Sequence, residues 1–180
     1  MKYLIISDIH GSYYYLNKVL KVFKIQKCDK IIILGDVLYH GPRNDLPKQY
    51  APKKVIPLLN ELKDKIICVQ GNCDAEVDQM VLNFKIKKSA IIKSGGISAY
   101  LTHGHKINPQ RPYKKEKVDV VLFGHSHIHE ITNVDDITYI NPGSISIPKG
   151  DKINSYAIWD NNIITIYNLL TKEKLMEYKK

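Results

Sequence analysis

At 180 residues the chain is long enough to bury a core without disulfide or metal staples, and short enough to be expected as one domain spanning 1–180. Its 44% hydrophobic and 25% charged residues, with no uncharged apolar run longer than a strand, exclude a membrane span. The net charge of +9 rests on 27 basic residues of which only Arg43 and Arg111 are arginines, so a solvated lysine surface is the better reading than a nucleic-acid interface, which favours arginine.

Lys2 to Ile6 enters a strand-like run at once, which leaves no place for the apolar core and cleavage site of a signal peptide. Cys28, Cys68 and Cys73 match no zinc ribbon or redox pair, and the two observations together predict a cytoplasmic protein. Apolar, β-rich runs at 3–7, 30–34 and 65–70 alternate with helical-period stretches at about 12–25 and 51–64, the second opened by Pro52. This is a βαβαβ pattern with a parallel sheet. The segment 38–50, rich in Gly, Pro, Asn and Asp, reads as a long loop of the kind that often carries function. Beyond residue 84, short strands are expected at 85–93, 97–102, 118–123, 130–134, 137–140, 153–160 and 162–168, turning at Gly95-Gly96, Asp135-Asp136 and Asn161-Asn162. Without a linker or repeat, the two halves are expected to form two sheets packed face to face with helices outside.

Each apolar run of the first half ends in a polar cluster: Asp8-Ile-His10-Gly11, then Gly35-Asp36, then Gly71-Asn72-Cys73-Asp74. The second half does the same with imidazoles, in His103-Gly-His105 and Gly124-His125-Ser-His127. Groups just past the carboxyl ends of neighbouring strands converge on one crevice. Mixed oxygen and imidazole donors suit manganese, iron or zinc rather than calcium, and their number suits two ions. An extended backbone would point Asp8 with His10, and His125 with His127, to the same side. Glycines at 11, 35, 71, 104 and 124 would let the chain turn sharply there. A lone Asp-x-His is more often a surface or capping pair; repetition at five strand ends is what carries the metal reading.

In order, these blocks resemble the signature of calcineurin-like metallophosphoesterases, with Thr102 where that family often has glycine before the fourth block. Longer stretches, His40 to Asn44, Gly71 to Met80 and Asn141 to Gly150, resemble the small bacterial YfcE-type phosphodiesterases, which lack capping domains. The resemblance implies a four-layer α/β/β/α sandwich of two mixed sheets. It also implies two divalent ions, manganese first with nickel, iron, zinc and magnesium as alternatives. Asp8, His10, Asp36 and His127 would hold one ion, and Asp36, Asn72, His103 and His125 the other, with Asp36 bridging.

The expected reaction is attack of a metal-bridging hydroxide on the phosphorus of a small phosphodiester. Asn72 would bind metal through its oxygen and donate to a phosphoryl oxygen through its NH₂. Cys73 stands where many family members carry a histidine that protonates the leaving group. A thiol is a poorer acid near neutral pH, which predicts a preference for good leaving groups; the alternative is a small buried residue beside the site. Arg43 is a candidate phosphate clamp and Arg111 a weaker one. His105 is expected as a substrate-side or outer group, His40 at the mouth, His129 on a strand surface, and Asn141 to Ser144 as a turn that orients a ligand imidazole. A phosphomonoesterase or nucleotide hydrolase on the same site is the alternative among enzymes. A protein-binding scaffold, like the metallophosphoesterase-like subunit of retromer, is the alternative from another class. Sheet edges and surface tyrosines permit a homo-oligomer without specifying one.

Overall fold

In the computed structural model, which describes residues 1–180, strands β1 (Lys2–Ile6), β2 (Lys30–Ile33) and β3 (Ile66–Val69) lie parallel and adjacent. Helices α1 (Tyr13–Ile25) and α2 (Pro52–Asn60) connect them. Side chains of a strand alternate between its faces, and here both faces are buried. Leu4 and Ile6 join Leu16, Val19 and Phe23 of α1 and Val55 and Leu59 of α2 in one cluster, while Tyr3 and Ile5 join the core between the sheets. Ser12 caps α1, its Oγ accepting from the Tyr15 N–H at 3.4 Å and donating to the Lys48 carbonyl at 2.7 Å. The second helix stops at Asn60, short of the expected 64, because the chain tightens into a single 3₁₀ turn at Lys63–Lys65.

A short helix α3 (Asp78–Val81) leads into β4 (Ile86–Lys87), which pairs with β3. Strands β5 (Ala90–Ser94), β6 (Ile97–Leu101), β7 (Val120–Leu122), β8 (His129–Val134) and β9 (Ile137–Pro142) form a second sheet in the order β5-β6-β7-β9-β8. Then β10 (Ser155–Asp160), β11 (Ile163–Asn168) and β12 (Lys174–Lys179) return to the first, giving β12-β11-β10-β1-β2-β3-β4. Both sheets are mixed. The expected strand at 85–93 is therefore two strands in different sheets, divided at Lys88-Ser89, and β12 was not anticipated.

Ile5, Ile32, Leu101, Leu122, Ile140 and Trp159 fill the space between the sheets. The helices cover the outer face of the seven-stranded sheet. The outer face of the five-stranded sheet is covered by the 103–119 connection, which has no helix: Tyr113 stacks on Tyr100 at 4.1 Å and its N–H donates to the Tyr139 hydroxyl at 2.8 Å. The sandwich of two mixed sheets is present, with irregular chain as its fourth layer. No helix is long and apolar enough to cross a membrane.

Candidate metal centre

The polar clusters meet because main-chain bonds tie the strand ends together. The Asp8 N–H donates to the Gly35 carbonyl at 3.2 Å, His10 to Asp36 at 2.9 Å, and Gly124 to His103 at 2.8 Å across the second sheet. An extended path through these clusters, the expectation from alternation, is not what the chain adopts. Asp8, His10, Asp36, His125 and His127 all have positive φ, between 47° and 68°, so each side chain is aimed by a local left-handed kink. Gly11, Gly35 and Gly104 also have positive φ, but Gly71 and Gly124 do not. These two are glycine for lack of space: a Cβ at 71 would overlap the Asp36 carboxylate, and one at 124 would overlap Ser7 Oγ and come within 2.8 Å of Asp8 Oδ2.

Three imidazoles are locked by main-chain carbonyls on the same ring nitrogen. Nδ1 donates to Tyr39 at 2.7 Å in His10, to Leu34 at 2.6 Å in His103 and to Ile147 at 2.6 Å in His127. In each neutral ring this leaves Nε2 as the lone-pair atom, turned inward. His10 Nε2 lies 3.2 Å from His127 Nε2, so without a proton or a cation between them two lone pairs face each other. His127 Nε2 is 3.3 Å from Asp8 Oδ1, and His103 Nε2 is 3.3 Å from Asp36 Oδ2 and 3.1 Å from Asn72 Oδ1. Asp8 Oδ1 is buried without any hydrogen-bond partner.

Such a set of acceptors requires positive charge. Burial opposes ionisation of Asp8, but hydrogen bonds with His10 and His127 hold its carboxyl well below the usual carboxylate range. Asp36 moves down likewise, against its own burial, through His103. Burial works against a charged His103, yet its hydrogen bond to Asp36 and the two carboxylates raise it to about 9. His10 is raised for the same reason, by Asp8. Protons on imidazole thus stand in for a cation, and divalent ions fit the donor set. Asp8 with His10 and His127, Asp8 with Asp36 and His103, and His10 with Asp36 and Cys73 each bring their ligand atoms within 4.8 Å of one another.

The model of the calcineurin-like phosphoesterase superfamily domain matches residues 1–162. The chain belongs to this superfamily. Phosphodiesterase YfcE of Escherichia coli K12 is 42% identical over 172 residues, covering 94% of this chain and 92% of its own. The solved structure of YfcE, described as a phosphoesterase from E. coli, superposes with a TM-score of 0.95 at 40% identity over 99% of both chains. A phosphodiesterase of Methanocaldococcus jannaschii is 28% identical over 151 residues, 79% of this chain and 83% of its own.

Around the phosphoesterase centre lie two cavities. The smaller, about 260 Å³, is lined by Arg43, Cys73, His125 and Lys149 among others; the larger, about 530 Å³, includes His105. Asn72 lines both. His125 stands with its ring 5.2 Å from that of His103 and its N–H donating to Asp8 Oδ2 at 3.1 Å. Cys73 donates its N–H to Asp36 Oδ1 at 2.8 Å, and its Sγ accepts from Asn72 Nδ2 at 3.3 Å. Burial, then the Asp36 charge, push its thiol up to about 12. Burial and the neighbouring His103 lower His105, whose buried Nδ1 has no partner. Arg111 is exposed and lines neither cavity. His40, expected at the mouth, packs instead between Tyr39 and Tyr50, leaving the lining to Gly41 through Asn44. His129 begins β8 and pairs with Asp151 at 3.5 Å.

Asn141 bonds the Gly124 carbonyl and Ser126 Oγ, both at 2.9 Å, and so holds the loop rather than an imidazole, which the Ile147 carbonyl orients. Sequence reasoning also left Asp74 without a role. Its carboxylate accepts from the N–H groups of Asp36 at 2.8 Å and of Val37 and Gly71 at 2.7 Å, clamping the end of β2 to the end of β3. The Gly71-Asn72-x-Asp74 spacing was the available signal. Ser144 and Ser146, within the Asn141 to Gly150 block, both donate to the Asp8 carbonyl, a contact to which that block gave no residue-level clue.

Proposed function

We propose that the 180 residues act as one domain, a cytoplasmic metal-dependent phosphodiesterase for a small diester, using two divalent cations with manganese as the first choice. The observation that carries the metal is the convergence of three carbonyl-locked imidazoles on two buried carboxylates. Asp8, His10, Asp36 and His127 would hold one cation, and Asp36, Asn72, His103 and His125 the other, with Asp36 shared. When bound, the cations supply Lewis acidity toward the phosphoryl oxygens and an acidified water as nucleophile. Main-chain carbonyls fix the imidazoles before any ligand arrives, which limits reorganisation during reaction. Asn72 places Oδ1 3.1 Å from His103 Nε2 and gives one Nδ2 hydrogen to Cys73 Sγ at 3.3 Å, which leaves the second hydrogen to donate to a phosphoryl oxygen. Arg43, which lines the same cavity, offers a guanidinium. Cys73, holding its proton, is a weak acid for the leaving group.

The two cavities meeting at Asn72 favour a diester, because a monoester has only one organic arm to place. The free thiols of Cys28, Cys68 and Cys73 support the cytoplasmic assignment. The test is to strip the protein with chelator, restore Mn²⁺, Ni²⁺, Mg²⁺ or Zn²⁺, and compare bis-p-nitrophenyl phosphate with p-nitrophenyl phosphate. Metal-restored diester cleavage, abolished by Asp36→Asn, is expected. Faster monoester cleavage would make the protein a phosphomonoesterase, and inactivity with every metal would favour the scaffold.

A further inference from the structure

The larger cavity adjoins the metal centre through Asn72, and no other residue of its lining is among the candidate ligands. Its 530 Å³ or so falls within the range of small-ligand sites. Three of its lining residues are lysines brought together from separate places: Lys88 from the crossing between β4 and β5, and Lys106 and Lys115 from opposite ends of the 103–119 connection. None of the three forms an ion pair with the protein; the lysines that do are Lys2, Lys174 and Lys180. The one carboxylate in the lining, Asp74, has both oxygens occupied by main-chain N–H groups. The cavity is therefore edged by three exposed lysines that no carboxylate of the protein pairs with, beside the position a phosphoryl group would take. His105 adds a buried ring nitrogen without a partner. Of its twelve lining residues only Tyr100 and Ile107 are hydrophobic, the others being charged, polar or glycine.

We infer that this cavity is a subsite for a second phosphate, so that the physiological diester carries a further phosphate group on the arm lodged there. The inference rests on the phosphodiesterase reading for the position of the first phosphoryl group, and it narrows the substrate class to diesters with an anionic arm. Lysine ammonium groups act on phosphate as point charges, and each exposed pairing is individually weak. Three lining one cavity and reaching one dianion are expected to give about tenfold in affinity.

Calorimetric titration of the Mn²⁺-loaded protein tests this with chain-matched probes: propane-1,3-diol and hexane-1,6-diol bisphosphates against propanol and hexanol monophosphates. At least one bisphosphate should bind about tenfold tighter than its monophosphate. In the triple variant K88Q/K106Q/K115Q that ratio should fall to within about twofold. Taking a ratio on one preparation removes any fraction of misfolded protein from the comparison. Equal affinities in the wild type overturn the inference. So does a preference that survives the triple substitution, which would move the second anion to Arg43 and Lys149. Hydrolysis of bis-p-nitrophenyl phosphate on the same preparations reads the parent assignment separately, since a lost activity with an intact bisphosphate preference would remove the reaction and leave the subsite.

Discussion

Asp8, His10, Asp36, His125 and His127 each sit in a backbone region that disfavours side chains with a Cβ, at a cost of about 1 to 2 kcal/mol apiece. Strain on that scale is retained where surrounding structure over-determines it, and here it aims five candidate ligands inward. The residue types of this centre were legible from the sequence, because Asp, Asn and His recur beside glycine at five strand ends. Their aim was not, since nothing in Asp8-Ile-His10 distinguishes an extended path from a kinked one. Cys73 was legible only as a departure from its family, and in the metal-free protein burial, then the Asp36 charge, raise its thiol to about 12, the direction of a group that keeps its proton near neutral pH. Rates should therefore fall steeply as the leaving group becomes more basic. Cys73→His should flatten that dependence, raising turnover on poor leaving groups by about tenfold or more relative to p-nitrophenol. A series of aryl diesters measures the slope, and an unchanged slope would show that residue 73 is not near the departing oxygen.

Elements with a strong period were legible and those set by tertiary contact were not. The parallel strands β1 to β3 are continuous apolar runs because both faces are covered, which the sequence states outright. By contrast, no Gly or Pro marks the switch of sheet at Lys88-Ser89; only the partners available, β3 on one side and β6 on the other, divide the run. The edge strand β12 hides among lysines, with Leu175, Met176 and Tyr178 reaching the core and a register shift opposite Ile166 and Tyr167. At the start of α1, Ser12 serves two elements at once, capping the helix and holding the 38–50 loop through the Lys48 carbonyl. Ser12→Ala should thus cost about 1 to 2 kcal/mol, or a few degrees of Tm. It should also raise KM more than it lowers kcat, because the loop carries Arg43 while the ligands stay tied to the strand ends. An unchanged Tm would mean that water replaces both bonds.

At the scale of the molecule, the centre lies where the ends of two sheets meet, so its charge balance is linked to the stability of the whole fold. In the metal-free protein His103 titrates at about 9 and His10 is also raised. Unfolded histidine titrates near about 6.5, so the stability these protons confer is complete below that pH and is lost as pH rises through the folded value. Asp8 and Asp36 are depressed, and their contribution, present above the unfolded carboxylate range, is constant from pH 6 upward. His105 and His125 are lowered, so their contribution grows with pH until unfolded histidine has lost its proton. The chelated protein should therefore lose stability between about pH 7 and 8, by at most about 1.4 kcal/mol per pH unit for one imidazole. Stopping at about pH 8 keeps the measurement below the titration of unfolded thiols, near about 8.5. The same protons compete with a metal for Nε2, so cation binding strengthens over that window and adds stability by mass action. Melting curves with chelator and with saturating Mn²⁺ should diverge as pH rises, the chelated Tm falling and the gap widening. A constant gap would mean that His103 and His10 are unprotonated in the metal-free fold at neutral pH, and that another group balances the buried carboxylates.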